Sequence, residues 1–277
     1  MNSFFNKINL LPPTVFTGYD TVDARSTILG LIYKGIPQEK IILKEKECCE
    51  IIIDISPFYA GTQCQIADEG WMFNDRVKLK IQDVINNGEG SFLHIAECQE
   101  GGEIATGDKI FSHIDVLRRH QISRHHTVTH LLYSALRDEF EEKISAYRAV
   151  VTYDKLCFDF FYTGFLTEKQ IISVEMNVYS KILMNYPVLT FMTSQNKARE
   201  ICFVNTLNEN YEDTPRVCQI NDVSCEICYG THCIQTGEIG AFKIIEQSQR
   251  GDGIYRLEAV AGMAAYFWIE QHLLNKG

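Results

Sequence analysis

Two residue pairs constrain this chain more than any other feature. His126 and His130 stand four positions apart, and so, much later, do Cys228 and His232. On a helix that spacing puts two side chains on one face, a turn apart, where both imidazoles can hold a single metal ion. A C-x3-H pair in a loop is a plausible second half of such a site. One Cys and three His make a reasonable tetrahedral zinc set, because thiolate and imidazole favour zinc over the hard, oxygen-seeking ions. A fold that uses both pairs must bring the two distant segments together. Taken singly, each pair has a plainer reading: surface or partly buried histidines, or chance clustering within SCEICYGTHC.

The chain has ten cysteines in 277 residues, which raises the question of disulfides. Its N-terminus, MNSFFNKINLLPPTVF, carries no cleavable-signal pattern. The expectation is therefore a reducing, cytoplasmic setting without a disulfide framework. Most of the cysteines lie in apolar segments such as KLCFDFF, where they act as small hydrophobes. Cys228 is the one expected zinc thiolate. His125 and Cys233 flank the proposed ligands; His125 is rotated by about 100° from His126 on a helix, and Cys233 is expected to pack or stay free. Apolar runs fall far short of the ~20 residues that span a bilayer, so no membrane partner is expected. The net charge of −10 argues against general nucleic-acid coating. A local basic strip remains: Arg118, Arg119, His120, Arg124 and His125. It is either a solvated approach to the helix or a phosphate-contacting surface.

Periodicity predicts an α+β protein in two parts. Residues 1–115 read as short strands: EIIIDIS, then WMFNDRVKLKIQDVI with Val77, Leu79 and Ile81 alternating against charges, then a hairpin through NNGEG. Such a run suggests a small β-barrel. Residues 116–277 change character. SRHHTVTHLLYSALRDEF predicts a helix, with Ser123 able to cap its start. Strands at AYRAVVTY and KLCFDFFY follow, then a helix from Thr167 to about Asn185. Strands near Arg216–Ile220, Gly240–Ile245 and Ile254–Val260 and a last helix from Gly262 to Leu274 complete a mostly antiparallel α+β domain.

These same residues carry a resemblance. HHTVTHLLYSALR resembles the H-x3-H helix of the alanyl-tRNA synthetase editing domain, which is shared with threonyl-tRNA synthetase. SCEICYGTHCIQTGEIGAFKIIEQSQRGDGIYRLEAVAG is similar to the second zinc half-site of that family and the strands behind it, and PFYAGTQCQIADEG to an upstream family segment. The likeness runs from about Phe16 to Gly262. It implies an N-terminal barrel followed by a zinc-binding editing domain, with His126, His130, Cys228 and His232 as Zn2+ ligands. It also carries over Gln65, Asp68 and Gly70 in the first part and Thr231, Gly237, Gly240, Arg256 and Glu258 in the second. Three places depart from the pattern: Gln63 and Cys64 replace two glycines, Tyr229 replaces a glycine beside the metal loop, and Ala146 and Arg148 stand where glutamine and glycine are usual.

No aminoacylation segment precedes the barrel and few residues follow LEAVAG, so the resemblance implies a freestanding editor acting in trans. The expected reaction is hydrolysis of mischarged seryl-tRNA(Ala), and perhaps of glycyl-tRNA(Ala), with tRNA as partner. Rejecting alanine then means demanding one hydroxyl, which a hydrogen-bonding site can do. Thr127 and Thr129, interleaved with the histidines, are candidate partners for that hydroxyl beside Gln65; their plainer reading is back-bonded helix threonines. Arg118, Arg119 and Arg124 are the candidate tRNA contacts. Two other classes stay open. One is a tRNA-binding or synthetase-associated relative with altered catalysis. The other is a zinc-dependent acyl transferase or hydrolase acting on another aminoacyl ester. The oligomeric state is left open.

Overall fold

A computed structural model describes residues 11–140, 143–202 and 213–274. The first ten residues, part of the N-terminal segment discussed above, lie outside the described residues. The chain divides into two compact units, Met1–Arg119 and His120–Gly277.

The first unit is a closed antiparallel barrel. Six strands form it: β1 (Asp23–Tyr33), β2 (Cys48–Ile53), β3 (Gly70–Phe73), β4 (Lys78–Asn86), β5 (Phe92–Glu100) and β6 (Lys109–Ile114). Their order around the ring is β6-β3-β4-β5-β2-β1, and β6 closes against β1. Alternation fixes the inside. Leu79 and Ile81 on β4, Ile51 and Ile53 on β2 and Ala96 and Cys98 on β5 are all buried in one core. Closure leaves the barrel without a free edge among these strands. Gly70 permits it locally: a Cβ there would sit 2.3 Å from the His113 carbonyl on β6. The segment from Trp71 to Ile85 is two strands and not one, because Asn74 makes a turn by accepting the amides of Arg76 and Val77.

The second unit is built around one long helix, α1 (Val116–Phe140), which begins in the first unit. The sequence placed its start at Ser123; the structure places it seven residues earlier. Asp115 is the capping group, its carboxylate accepting the Arg118 amide at 3.0 Å. Ser123 is interior and buried, with its hydroxyl turned to Thr231. Val128, Leu131, Leu132, Ala135 and Leu136 are fully buried. So are His125 and Thr127, which makes α1 a central helix with little exposed face beyond its ends.

Strands β7 (Ser145–Val151) and β8 (Leu156–Phe161) follow, then α2 (Glu168–Leu183). Thr167 and Gln170 form a capping box at its start. Next come β9 (Val188–Met192), α3 (Gln195–Ile201), β10 (Arg216–Ile220), β11 (Ser224–Ile227), β12 (Phe242–Gly251), β13 (Ile254–Ala261) and α4 (Gly262–Leu274). They make two antiparallel sheets, β7-β8-β13-β12 and β9-β10-β11. Tyr133 of α1 meets Phe158 of the larger sheet at 5.5 Å between ring centroids. Polar bonds pin the same helix: Gln121 Nε2 donates to the Ala261 carbonyl, and His125 Nδ1 to that of Thr152. The smaller sheet leads through β11 into the loop that bears Cys228 and His232. No helix among the described residues is long and apolar enough to cross a membrane.

Candidate metal centre

The α1 helix presents two adjacent stripes toward the 228–233 loop. Ser123 and Thr127 form one, His126 and His130 the other, about 60° around the axis. The hydroxyl stripe docks the loop. Ser123 Oγ donates to Thr231 Oγ1 at 3.0 Å, and the Cys233 amide donates to Thr127 Oγ1 at 2.9 Å. Arg216, buried at the start of β10, holds the loop from behind through Nη1, which donates to the carbonyls of Cys228 (2.8 Å) and Gly230 (3.0 Å).

The imidazole stripe meets the loop's donors. One ligand atom from each of His126, His130, Cys228 and His232 lies within 4.8 Å of all the others. Cys228 Sγ is 3.2 Å from His126 Nε2 and 3.3 Å from His232 Nε2. Ligand bonds of 2.0–2.3 Å imply tetrahedral edges of about 3.5 Å, so this spacing suits one central ion. The rings of His126 and His130 lie parallel, 5.7 Å apart. His130 Nε2 is buried with no hydrogen-bond partner, an expense a bare protein seldom tolerates. The three nitrogens and one sulfur therefore fit a zinc-type ion.

Glu226 completes the surroundings. Its Oε2 lies 3.1 Å from His130 Nδ1, and its Oε1 accepts the Ser224 hydroxyl at 2.9 Å. A carboxylate on the far nitrogen of a ligand histidine fixes the ring and its tautomer. Burial works to lower the His130 pKa, but Glu226 and the thiols of Cys218 and Cys228 hold it well above the usual imidazole value. Burial works to raise the Cys228 thiol; His126 and His232 outweigh it and hold the thiol well below its usual range. Burial pushes His232 down to about 3. Sequence reading assigned Glu226 no role, although strand alternation from Cys228 puts it on the same face. Arg216 had no such signal, since its targets lie 12 and 14 residues away.

The flanking residues part company with the cluster. His125 bonds Thr152 and Gln121, with burial pushing its pKa down to about 4. Cys233 is buried and packs. Thr127 serves the loop. It is fully buried, donates to the Ser123 carbonyl and accepts the Cys233 amide, so its proton is committed and its oxygen helps dock the loop. Thr129 Oγ1 donates back to the His125 carbonyl at 2.7 Å. Its oxygen can still accept a bond.

The basic strip is unevenly exposed. Arg119 is buried, and its guanidinium is consumed inside the first unit. Nε donates to both Asp68 oxygens at 2.8 and 3.0 Å, Nη1 to the Gly18 carbonyl, and Nη2 to the Pro57 carbonyl and to Asp68. Arg118 bonds the Ala67 carbonyl and pairs with Glu69. Arg124, partly exposed, donates to the Glu238 carbonyl. Of the three, Arg119 has its guanidinium committed inside the first unit.

The remaining carried-over residues sit as follows. In the first unit Gln65 is buried in the loop before β3, within a turn organised by Thr62, whose Oγ1 accepts the Cys64 and Gln65 amides. Gln63 and Cys64 are exposed and neither has positive φ, so losing two glycines there costs no backbone strain. In the second unit Gly240 has φ of +70°, which favours glycine. Arg256 forms a two-pronged pair with Asp159 at 2.6 and 2.8 Å, and Glu258 pairs with Lys155. Ala146 is partly buried, Arg148 exposed and Tyr229 partly buried.

Comparison with known proteins follows this division. Residues 216–258 match the family model described as threonyl and alanyl tRNA synthetase second additional domain, a stretch that includes Cys228 and His232. Residues 2–118 match the model for tRNA synthetases class II (A). The chain is 34% identical over 261 residues to the alanine–tRNA ligase of Thermoanaerobacter sp., covering 93% of this chain and 29% of that protein. It is 35% identical over 270 residues to that of Fervidobacterium nodosum, covering 97% and 31%. To that of Caldicellulosiruptor saccharolyticus it is 36% identical over 253 residues, covering 91% and 28%. The chain thus spans less than a third of the length of these relatives.

Proposed function

The chain is a relative of the alanyl-tRNA synthetases, and from that relation we propose that it is a zinc-dependent aminoacyl-tRNA hydrolase that clears mischarged seryl-tRNA(Ala) and glycyl-tRNA(Ala) in trans in the cytoplasm. One observation carries the reading. Four donors from two distant segments converge on one point, and the loop that supplies two of them lies in the stretch matching the additional-domain model.

His126, His130, Cys228 and His232 would hold the ion; bound there, it supplies a positive centre that attracts an amino or hydroxyl group or polarises water. The rest falls to the chain. Glu226, with Oε2 3.1 Å from Nδ1 of His130, would favour a proton on that nitrogen and leave Nε2 for the ion. Thr129 gives its own proton to the His125 carbonyl, so toward a substrate it acts as acceptor only. A seryl hydroxyl can donate to it and an alanyl methyl cannot, and this difference is the kind a polar site can exploit. Gln65 is retained as a candidate in the first unit. The tRNA partner and the part played by Arg124 belong to the same proposal.

A second reading has its own support. Ala146, Arg148 and Tyr229 depart from the family pattern, which favours a tRNA-binding relative with altered chemistry. One assay separates the two: purified chain with seryl-, glycyl- and alanyl-tRNA(Ala), with and without a chelator. The editing reading expects loss of the seryl ester, sparing of the alanyl ester and inhibition by chelation. Retained tRNA binding with no ester cleavage in any arm sinks it in favour of the second.

A further inference from the structure

We propose that Cys202 and Cys225 form a reversible oxidation site, a thiol pair that closes to a disulfide on the face of β11 opposite the metal centre. The inference is independent of the editing reading.

Alternation along β11 sends Ser224 and Glu226 toward His130, and Cys225 and Ile227 the other way. On that opposite face Cys225 joins Ala198 of α3 and Val217 of β10 in a small apolar cluster, with Ile201, Cys202 and Phe191 packed against it. Cys202 caps the end of α3, its amide bonded to the Ala198 carbonyl at 2.9 Å and its backbone extended. The two sulfurs stand 3.3 Å apart. A disulfide needs ~2.05 Å, so they must approach by only about 1.2 Å. Neither sulfur is among the four metal donors. Both cysteines are free thiols.

Cys202 is partly exposed and Cys225 buried, so an oxidant meets Cys202 first. With a peroxide, the Cys202 sulfur attacks one oxygen and the O–O bond breaks, giving a sulfenic acid and one water. The Cys225 sulfur then displaces the hydroxyl, which leaves as a second water with the thiol proton. Two thiols lose two hydrogens in all, and one peroxide is reduced to two waters. Burial pushes the Cys202 thiol up to about 12 and raises that of Cys225. Closure is therefore slow. A dithiol reductant reverses it by exchange: its thiolate attacks one sulfur of the bridge and its second thiol then releases both cysteines.

The test uses the full chain loaded with zinc. It is treated with hydrogen peroxide, its remaining thiols are alkylated, and its peptides are mapped by mass spectrometry. The expected product is a Cys202–Cys225 linked peptide, lighter by two hydrogens than its parts and separated by dithiothreitol. Cys202→Ser and Cys202→Ala, each checked for native circular dichroism, should both abolish it. The inference is overturned if both cysteines remain singly alkylatable, if Cys202 proceeds to a sulfinic acid alone, or if Cys225 bridges to any other cysteine.

Discussion

Glu226 Oε2 stands 3.1 Å from Nδ1 of His130, and the same carboxylate is steadied by the Ser224 hydroxyl at 2.9 Å. The pair joins strand β11 to helix α1, the two elements that supply or border every donor of the cluster. Removing the charge while keeping the shape tests what the contact does. Glu226→Gln should weaken zinc binding by roughly 10–100-fold, the usual cost of losing an outer carboxylate on a ligand histidine. Competition against a chromophoric chelator measures it directly. Unchanged affinity would show that His130 needs no such support.

The cluster itself makes a stoichiometric prediction. The purified chain should carry one zinc per molecule. Cys228→Ala and His126→Ala should each lower that content, because three remaining donors hold zinc less tightly than four. His125→Ala should leave zinc in place, since that ring is tied to Thr152 and Gln121. Elemental analysis after dialysis decides the matter, and equal zinc in Cys228→Ala would remove that residue from the set.

Spacing marked both pairs as candidates, because a four-residue interval on a helix puts two side chains on one face; each pair alone kept a plainer reading, and the resemblance joined them into one set. The six-stranded barrel was readable as alternation, and α2 as a capped periodic helix. What escaped depended on distance in the chain. The start of α1 was misplaced at Ser123 because its true cap, Asp115, sits before a stretch with little periodic signal, while Ser123 is recruited by Thr231. Short elements such as α3 and β9 carried too few residues to declare a period. The Arg118–His125 strip looked basic in sequence, but burial and partners remote in the chain decide whether a charge is available. Asp68, 51 residues before Arg119, settles that case.

The Asp68–Arg119 pair also predicts a stability effect. Both residues are buried, and Arg119 bonds two carbonyls as well as the carboxylate. Asp68→Ala leaves a guanidinium stranded in the first unit and should destabilise it by roughly 3–5 kcal/mol. Asp68→Ala combined with Arg119→Met should recover much of that loss. Urea denaturation of the three chains tests both statements; equal midpoints for Asp68→Ala and the parent would contradict them.

His94 sets a pH dependence for the first unit. It is fully buried on β5, with Nδ1 bonded to the Ile51 carbonyl at 3.0 Å and Nε2 to Ser56 Oγ at 2.8 Å. With Nδ1–H as donor to the carbonyl, Nε2 must accept the Ser56 proton, so the ring is held neutral. Burial pushes its pKa down from 6.5 to about 4. Between these values the unfolded chain binds a proton that the folded chain refuses, so stability falls as pH drops. The contribution is fully present above pH 6.5, declines through the window and is exhausted near pH 4, about 3 kcal/mol in all. Urea midpoints of the first unit should therefore begin to fall between pH 6.5 and 5, above the range where most carboxylates protonate. His94→Gln, whatever its own cost, should flatten that part of the profile. A His94 ring resonance titrating near 6.5 in the folded protein would refute the assignment.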